Sequence, residues 1–557
     1  MYQQVYDPVG NALGASSIFA ALPLIALFVL LGGVKMKAHW AGLIALAVSL
    51  VVAIAVYSMP VGQAFDSASE GAAFGLFPIM WIVVNAVWIY TMTVKTGDFA
   101  VLRRSFASIS SDQRIQAVII AFSFGALLEA LAGFGTPVAI TSVMLIALGF
   151  RPIKAASVAL VANTAPVAFG AIAIPIVTLS QVTGLDKQDL GSMVGRQTPL
   201  VALIVPFILV LIVDGLRGIR QTWPVVLVGA LTFGVMQFLT SNYISVELTD
   251  IVASLASVLS MVAFLQIWQP SEPLEGEATA AGARPAVAGA ESGNPAVERE
   301  VGRPEGGGDS FGAVLRAYAP YLIIIAVFSI AQIGEVKDFL ANRTHMFQWP
   351  GLHITNGKGK DLMSLTFKFD WAAAAGSLLL LCGVITAFVL RVRPRIALEA
   401  YRETLNQLKW AILTVAAVLA LAYVMNQSGQ TTTIGMWAAG AGSAFAFLSP
   451  VIGWLGTAIT GSDTSSNSLF GVLQVTAAKD AGLNPILLAA GNSSGGVLGK
   501  MISPQNLAIG AAAVGMAGEE GELFRKVLKW SLLMILIMAV LVFLQSKSVL
   551  DWMVVKP

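Results

Sequence analysis

Residues 163–170 read NTAPVAFG and are followed by Pro175; residues 492–499 read NSSGGVLG and are followed by Pro504. Each stretch is an Asn, a Gly seven positions later and a Pro five beyond that, set inside an apolar run. Upstream, the Thr of Gly133-Phe134-Gly135-Thr136 stands 27 residues before the first Asn, and the Thr of Gly461-Ser462-Asp463-Thr464 stands 28 before the second. Four elements in the same order read as an internal duplication. Gly and Pro at corresponding places in two apolar halves mark helices that break inside a membrane. A break leaves backbone N–H and C=O groups that lipid cannot satisfy, so such backbone survives only beside water or buried in protein. Its N–H ends carry partial positive charge and suit a small anion. For any single Gly or Ser here, close helix packing is the simpler reading. The run TGSDTSSNS at 460–468 is too polar for packing alone and reads as a site.

The rest of the chain agrees. Of 557 residues, 57% are hydrophobic and only 11% charged, where a soluble domain carries about 25% charged residues. That excludes a soluble enzyme, a secreted domain and a disordered chain. An outer-membrane barrel gives only weak, alternating hydropathy and is excluded too. The fold class is an all-α polytopic membrane protein. Net charge is +2, so no basic field points to nucleic acid. Cys382 is the single cysteine, which removes an intramolecular disulfide, a Cys-based zinc site and an iron–sulfur cluster. His39, His345 and His353 lie far apart, without metal-ligand spacing. No Gly-x-x-x-x-Gly-Lys-Ser/Thr sequence occurs. Neither a catalytic base–nucleophile arrangement nor a cofactor motif is visible, so the expectation is a secondary transporter and no enzyme. Work against a gradient would draw on an ion gradient or another subunit.

A crossing helix needs about 20 apolar residues. Candidates fall near 17–34, 40–58, 74–93, 115–131, 136–150, 155–180, 199–213, 223–240 and 251–268. They resume near 317–334, 371–390, 409–425, 433–449, 452–475, 482–499, 501–516 and 528–546. Several are short or interrupted, so about 12–14 full crossings are expected, in two repeat-related halves at 1–270 and 311–557. The broken segments are 124–180 and 452–516. Residues 271–310, rich in Gly, Ala, Pro and Glu, read as a disordered cytoplasmic linker. Residues 336–368 read as a small ordered cap on the outer side. The 17–34 run reads as a retained first span and not a signal peptide, because Asp7 is the only charge before residue 35. Lys35 and Lys37, then Lys95, Arg103, Arg104 and Arg114, then Arg217 and Arg220 alternate with loops holding Asp66 and Glu70, and Glu247 and Asp250. Arg391, Arg393, Arg395 and Arg402 mark a further basic loop. The alternation puts the basic loops in the cytoplasm and the N-terminus outside. Arg151 and Lys154 are also basic, so 115–150 should leave and return to one side as a hairpin.

Three charges fall within the broken segments: Glu129, Asp463 and Lys500. A charge at a helix centre in a membrane costs at least about 2.5 kcal/mol and marks function by default. Desolvation penalises the charged form of a carboxyl, which lets it load and release a proton. Asp463 and Glu129 are therefore the candidate proton carriers. Lys500 suits a substrate carboxylate; its alternatives are neutralising Asp463 or a structural pair with Glu129. Neutral hydrogen bonds are available from Asn163, Thr164, Asn492, Ser493, Ser462, Thr464, Ser465, Ser466, Asn467 and Thr136, and backbone contact from Gly133 and Gly135. His39 beside Trp40 reads as interfacial.

At these residues the chain resembles the bacterial lactate permease family over essentially its whole length. The stretches that carry the resemblance begin with YDPVGN at 6–11, TVKTG at 93–97, LEALAGFGTPVAI at 128–140 and NTAPVAFGAIAIPI at 163–176. They continue with QVTG at 181–184, MVGRQ at 193–197, TFKFDW at 366–371, GWLGTAITGSDTSSNSLF at 453–470 and GKMISPQNLAI at 499–509. The resemblance implies uptake of L-lactate, with D-lactate and glycolate as related substrates, in symport with protons across the bacterial inner membrane. It implies no cofactor, and small monocarboxylates, protons and the bilayer as partners. A looser likeness links the chain to ion transporters with paired helical hairpins. Together with the residues above, it places the substrate carboxylate near Lys500 and the N–H groups around Asn163 and Asn492. The 2-hydroxyl would meet 460–467, and Phe134 and Phe169 would face the apolar part. A sodium-coupled carboxylate carrier is the alternative, because the hydroxyl-rich TGSDTSSN run also suits a hard cation.

Overall fold

In lipid, every backbone polar group must be satisfied within the protein, so long apolar runs become helices. The computed structural model describes residues 2–274 and 309–556, apart from Lys35, Ser108, Ala132, Phe134, Gln332, Asp361, Met363, Ser364, Ala517 and Gly518. Among the described residues, nine helices are long and apolar enough to cross a membrane. The pair Pro152–Ala162 and Val167–Thr183, bent by 62°, adds a tenth if taken as one broken span. Some of the nine exceed one bilayer. The stretch Lys187–Tyr243 runs 57 residues, and Gly215 interrupts its last helix, Thr198–Tyr243, with φ 63° and ψ −152°. The runs near 199–213 and 223–240 thus belong to one helical stretch with a corner, where two separated spans were expected. Shorter apolar helices are Thr136–Ala147, Thr249–Leu265 and Ala375–Val389. The chain is a polytopic all-α membrane protein.

Helices from the two ends of the sequence interleave. Ala38–Ala55 and Val61–Phe74 pack against Pro394–Ser428. At Gly71 the approach is so close that a Cβ would lie 2.5 Å from the Leu419 carbonyl oxygen and 2.8 Å from the Ala420 Cα. Gly71→Val is therefore expected to lower stability by about 1–3 kcal/mol, read as a drop in thermal midpoint in detergent; an unchanged midpoint would mean the two helices do not meet there.

Two acidic positions depart from the sequence expectation of outer loops. Glu70 lies in Val61–Phe74, buried, and accepts a 2.6 Å hydrogen bond from Gln427 Nε2. Asp250 lies in the first turn of Thr249–Leu265 and is fully buried. In both cases a glutamine from a neighbouring helix holds one carboxyl oxygen, Gln427 at Glu70 and Gln237 at Asp250, inside the helical body.

The region after Ala341 carries three of the four described strands, and Tyr2–Gln3 is the fourth. His345–Gln348 pairs antiparallel with Thr366–Phe369, and Tyr2–Gln3 pairs parallel with Ile354–Thr355. Trp349 Nε1 donates to Ser69 Oγ at 2.9 Å, which ties this cap to Val61–Phe74. Residues 275–308 of the expected linker lie outside the described residues. At its edges, Leu274 N donates to Asp112 Oδ2 at 3.1 Å, and Arg104 makes a two-pronged pair with Asp309 at 2.9 and 2.8 Å.

Candidate functional site

Two hairpins and two broken helices build the centre. The first hairpin joins Gln113–Leu131 to Thr136–Ala147. Its outer ends meet, since Gln113 Nε2 donates to the Leu148 carbonyl at 3.0 Å. Its tip turns at Gly133 and Gly135, with φ of 46° and 84°. Gly135 caps Thr136–Ala147 in the left-handed region, where a side chain would be strained. A Cβ there would also press on Ile509 and lie 3.5 Å from Asn506 Oδ1. The second hairpin joins Phe445–Thr460 to Asp463–Asp480. Its arms are stitched by Ser466 Oγ to the Gly453 carbonyl at 3.0 Å and Gln474 Nε2 to the Ser449 carbonyl at 3.2 Å. Its tip also faces the 505–506 region: Asn506 Nδ2 reaches the Gly461 carbonyl at 3.5 Å.

The two Asn–Gly–Pro stretches are the broken helices. Pro152–Ala162 ends at Asn163, a 3-10 turn follows at Val167–Phe169, and right-handed α-helix resumes only after Ala171, Ile172 and Ala173, whose φ values are 43°, 59° and 58°. Three successive left-handed L-residues cost roughly 1–2 kcal/mol each, strain of the kind held at functional sites. Pro485–Gly499 passes through a tight turn at Lys500–Ile502, then extended Ser503, before Pro504–Ala513.

These elements bring the ionisable residues into two groups. In the first, Lys500 Nζ pairs with Glu129 Oε1 at 2.6 Å, both side chains buried, and Asn163 Nδ2 donates to Glu129 Oε2 at 3.2 Å. Gly170 and Gly133 border the same carboxylate. Lys500 thus joins the second broken helix to the first hairpin, and its partner is Glu129, not Asp463. In the second group, Ser493 Oγ donates to Asp463 Oδ2 at 2.6 Å, and Asn467 Nδ2 reaches the same oxygen at 3.5 Å. Asp463 Oδ1 has no hydrogen-bond partner among the described residues and lies against Gly496, with the Thr457 hydroxyl beside the same glycine. Asn467 Nδ2 also reaches Ser493 Oγ and the Pro175 carbonyl, each at 3.1 Å, so the second hairpin grips the first broken helix. Asn492 Nδ2 donates to Asn467 Oδ1 at 2.9 Å, and Asn492 Oδ1 accepts from Gln474 Nε2 at 3.0 Å.

The remaining positions are less committed. Thr164 Oγ1 donates to the Val161 carbonyl at 2.7 Å, and Ser462 Oγ accepts from Ser465 N at 3.3 Å as the cap of Asp463–Asp480. Both hydroxyls therefore serve local backbone, as does that of Ser466. Ser465 is buried, while Thr464 and Thr136 are half-buried. The Thr136 N–H closes the tip turn onto the Gly133 carbonyl at 3.0 Å. Phe169 is fully buried beside the first break, and Phe134 lies outside the described residues. Among the described residues no three His, Cys, Asp or Glu side chains group as metal ligands.

Sequence reading passed over Gln474, Gln505, Asn506, Gln237 and Asp250. Gln474 had a signal, since it stands seven residues after Asn467 and so on the same helical face. Asp250 also had one, as an acidic residue opening an apolar helical run.

A model of the L-lactate permease family matches residues 16–549. The glycolate permease GlcA of Escherichia coli (strain K12) is 43% identical over 562 residues, covering 98% of each chain. An L-lactate permease of Bacillus subtilis (strain 168) is 41% identical, covering 99% of this chain and 100% of that one. Among solved structures, the YdaH transporter of Alcanivorax borkumensis aligns over 86% of each chain at 13% identity, with a TM-score of 0.43. By the family match and the similarity to these permeases over nearly the full length, the chain belongs to the L-lactate permease family, as a multi-pass transporter of the bacterial inner membrane and not an enzyme.

Proposed function

We propose that this chain takes up short 2-hydroxy monocarboxylates, L-lactate and glycolate with D-lactate beside them, in symport with protons. The activities of the relatives, L-lactate and glycolate permeases, support the substrate class. The observation that carries the coupling is the buried Lys500–Glu129 pair at the junction of the two repeats. A substrate carboxylate replaces Glu129 at the Lys500 ammonium once Glu129 has taken a proton. One anion and one proton then enter together, and the buried charge is unchanged, which avoids the cost of moving an unpaired charge. Asn163, released from Glu129, is free to donate to the incoming carboxylate. Asn467, Asn492 and Ser493 supply hydrogen bonds for the 2-hydroxyl, and Phe169 an apolar wall for the remainder. Asp463 is the second proton carrier of this scheme. Gly133, Gly135 and Thr136 form one tip and Ser462, Thr464, Ser465 and Ser466 the other, so that both tips close over the site. Thr164 holds the first break. We take the halves 1–270 and 311–557 as the two repeat-bearing units, the 271–310 linker as cytoplasmic and the N-terminus as periplasmic, as the positive charges indicate.

The test is uptake of labelled L-lactate, and then glycolate, into proteoliposomes with an inward proton gradient and sodium on neither side. Accumulation above equilibrium that a protonophore abolishes is the expected result. Accumulation that waits for added sodium would transfer the 460–467 run to a cation site. Accumulation of neither substrate under either gradient would overturn the substrate class.

A further inference from the structure

Around the breaks, three buried carboxylates, Glu129, Asp250 and Asp463, accompany one buried ammonium, Lys500. Lys500 is committed to Glu129, so among the described residues neither aspartate has a basic partner. Asp463 belongs to the site described above; Asp250 has no part in it. Asp250 Oδ1 accepts from Gln237 Nε2 at 3.1 Å, while Oδ2 has no hydrogen-bond partner among the described residues. Asp463 is similar, with one oxygen held by the neutral side chains of Ser493 and Asn467 and the other near only the Thr457 hydroxyl among the described residues. The Gln237 Nε2 that holds Asp250 also reaches the Ala165 carbonyl at 3.4 Å, inside the first break. Thr198 Oγ1 fixes the other end of this amide by donating to Gln237 Oε1 at 3.2 Å. Gln237 thus stands between a buried carboxyl and backbone exposed by the break.

The charged surroundings are sparse. From the helix Gly125–Leu131 the ionisable group acting on Asp250 is Glu129, itself balanced by Lys500. The packed segment Ala117–Phe124 brings only apolar side chains and Ser123. On Thr198–Tyr243, Asp214, Arg217 and Arg220 lie several turns from Gln237, and Tyr243 is exposed at the end. Preceding Asp250 in sequence, Glu247 is paired with Lys187. A buried carboxylate without a counter-charge is costly, and a proton is the smallest species that removes the cost.

We infer that Asp250 is a third proton-binding carboxyl of the transport cycle, beside Glu129 and Asp463, and that Gln237 passes its protonation state to the first break. This rests on the transport reading above. As a carboxylate, Asp250 draws the Gln237 amide toward Oδ1 through a charge-assisted bond. With a proton on Oδ2 it becomes the weaker acceptor, and the amide is released to the Ala165 carbonyl. Loading this proton therefore firms the break, and losing it loosens the backbone at Asn163.

The experiment compares wild type with Asp250→Asn and Asp250→Glu in proteoliposomes, measuring both L-lactate exchange at equal pH and accumulation under a pH gradient. Exchange in Asp250→Asn is expected within about twofold of wild type, because the amide imitates the loaded acid. Accumulation should fall, by up to about tenfold per pH unit of gradient for each proton uncoupled, and Asp250→Glu should restore part of it. Unchanged accumulation, or exchange and accumulation falling in parallel, would overturn the inference. Infrared titration without substrate gives a reading independent of transport. A carboxylic acid band present in wild type should vanish in Asp250→Asn and shift in Asp250→Glu, and the latter decides if the asparagine variant fails to fold. A band that neither variant alters overturns the inference. Wild type that accumulates nothing would sink the transport reading, while the band still decides whether Asp250 binds a proton.

Discussion

Lys500→Met should abolish uptake and destabilise the protein by about 3–5 kcal/mol, the usual consequence of leaving one member of a buried ion pair uncompensated. The abandoned group is Glu129, buried, with only the Asn163 amide left to hold it among the described residues. Met fills much of the volume of the lysine stem, so the loss is electrostatic more than steric. The informative companion is Lys500→Met with Glu129→Gln. Removing both charges eliminates the uncompensated carboxylate, and Gln keeps an acceptor for Asn163. Most of the stability should therefore return, giving a coupling energy between the two sites well above that of independent positions. Uptake should not return, because the substrate carboxylate would still lack its ammonium. Thermal unfolding in detergent and labelled uptake read the two effects separately. A single Lys500→Met variant as stable as wild type would mean that the pair does not hold the repeats together. Uptake recovered in the double variant would mean that Lys500 never meets the substrate.

That pair shows where sequence reading stopped. The breaks themselves were legible, because Gly and Pro are the residues that most disfavour a continuous helix and they recur at matched spacing around Asn163 and Asn492. The first hairpin was legible too, since basic residues on both sides of 115–150 required its ends to return together, and the Gln113–Leu148 bond shows that they do. What spacing left open was the choice between the two carboxylates: Lys500 is close in sequence to Asp463, yet the first hairpin brings Glu129 to it across 371 residues. Hydropathy also misplaced Glu70 and Asp250. A window average treats a carboxyl as a loop signal and cannot see that a glutamine from a facing helix, Gln427 or Gln237, meets each one inside. The parallel pairing of Tyr2–Gln3 with Ile354–Thr355 was equally out of reach, since its two strands are only two residues long and lie far apart in the sequence. Several hydroxyls in the polar runs turned inward to backbone: Thr164, Ser462 and Ser466 satisfy nearby helical backbone, a role that composition cannot distinguish from ligand binding.

Asp463→Asn should uncouple the carrier without unfolding it. Asp463 Oδ2 is held by Ser493 at 2.6 Å, and an asparagine carbonyl oxygen can accept that bond in the same place. The amide nitrogen then falls where Oδ1 was, an oxygen without a hydrogen-bond partner among the described residues, beside Gly496 and close to the Thr457 hydroxyl. The size is conserved, a hydrogen-bond donor appears where a proton would sit, and a buried charge disappears. Stability should accordingly change by no more than about 1 kcal/mol, the net worth of one ordinary hydrogen bond. Exchange of labelled for unlabelled L-lactate needs no deprotonation, so it should persist within about threefold if the amide stands for the loaded acid at this step. Net accumulation loses the proton that Asp463 would release, so it should fall by up to about tenfold per pH unit of gradient, to the level that Glu129 alone drives. The contrast with Lys500→Met is the useful part: one variant loses exchange and accumulation together, the other only accumulation. Asp463→Asn that still concentrates L-lactate as wild type does would remove Asp463 from the proton path and leave Glu129 as the coupling carboxyl of this site, with the Ser493–Asn467–Asn492 network serving recognition alone.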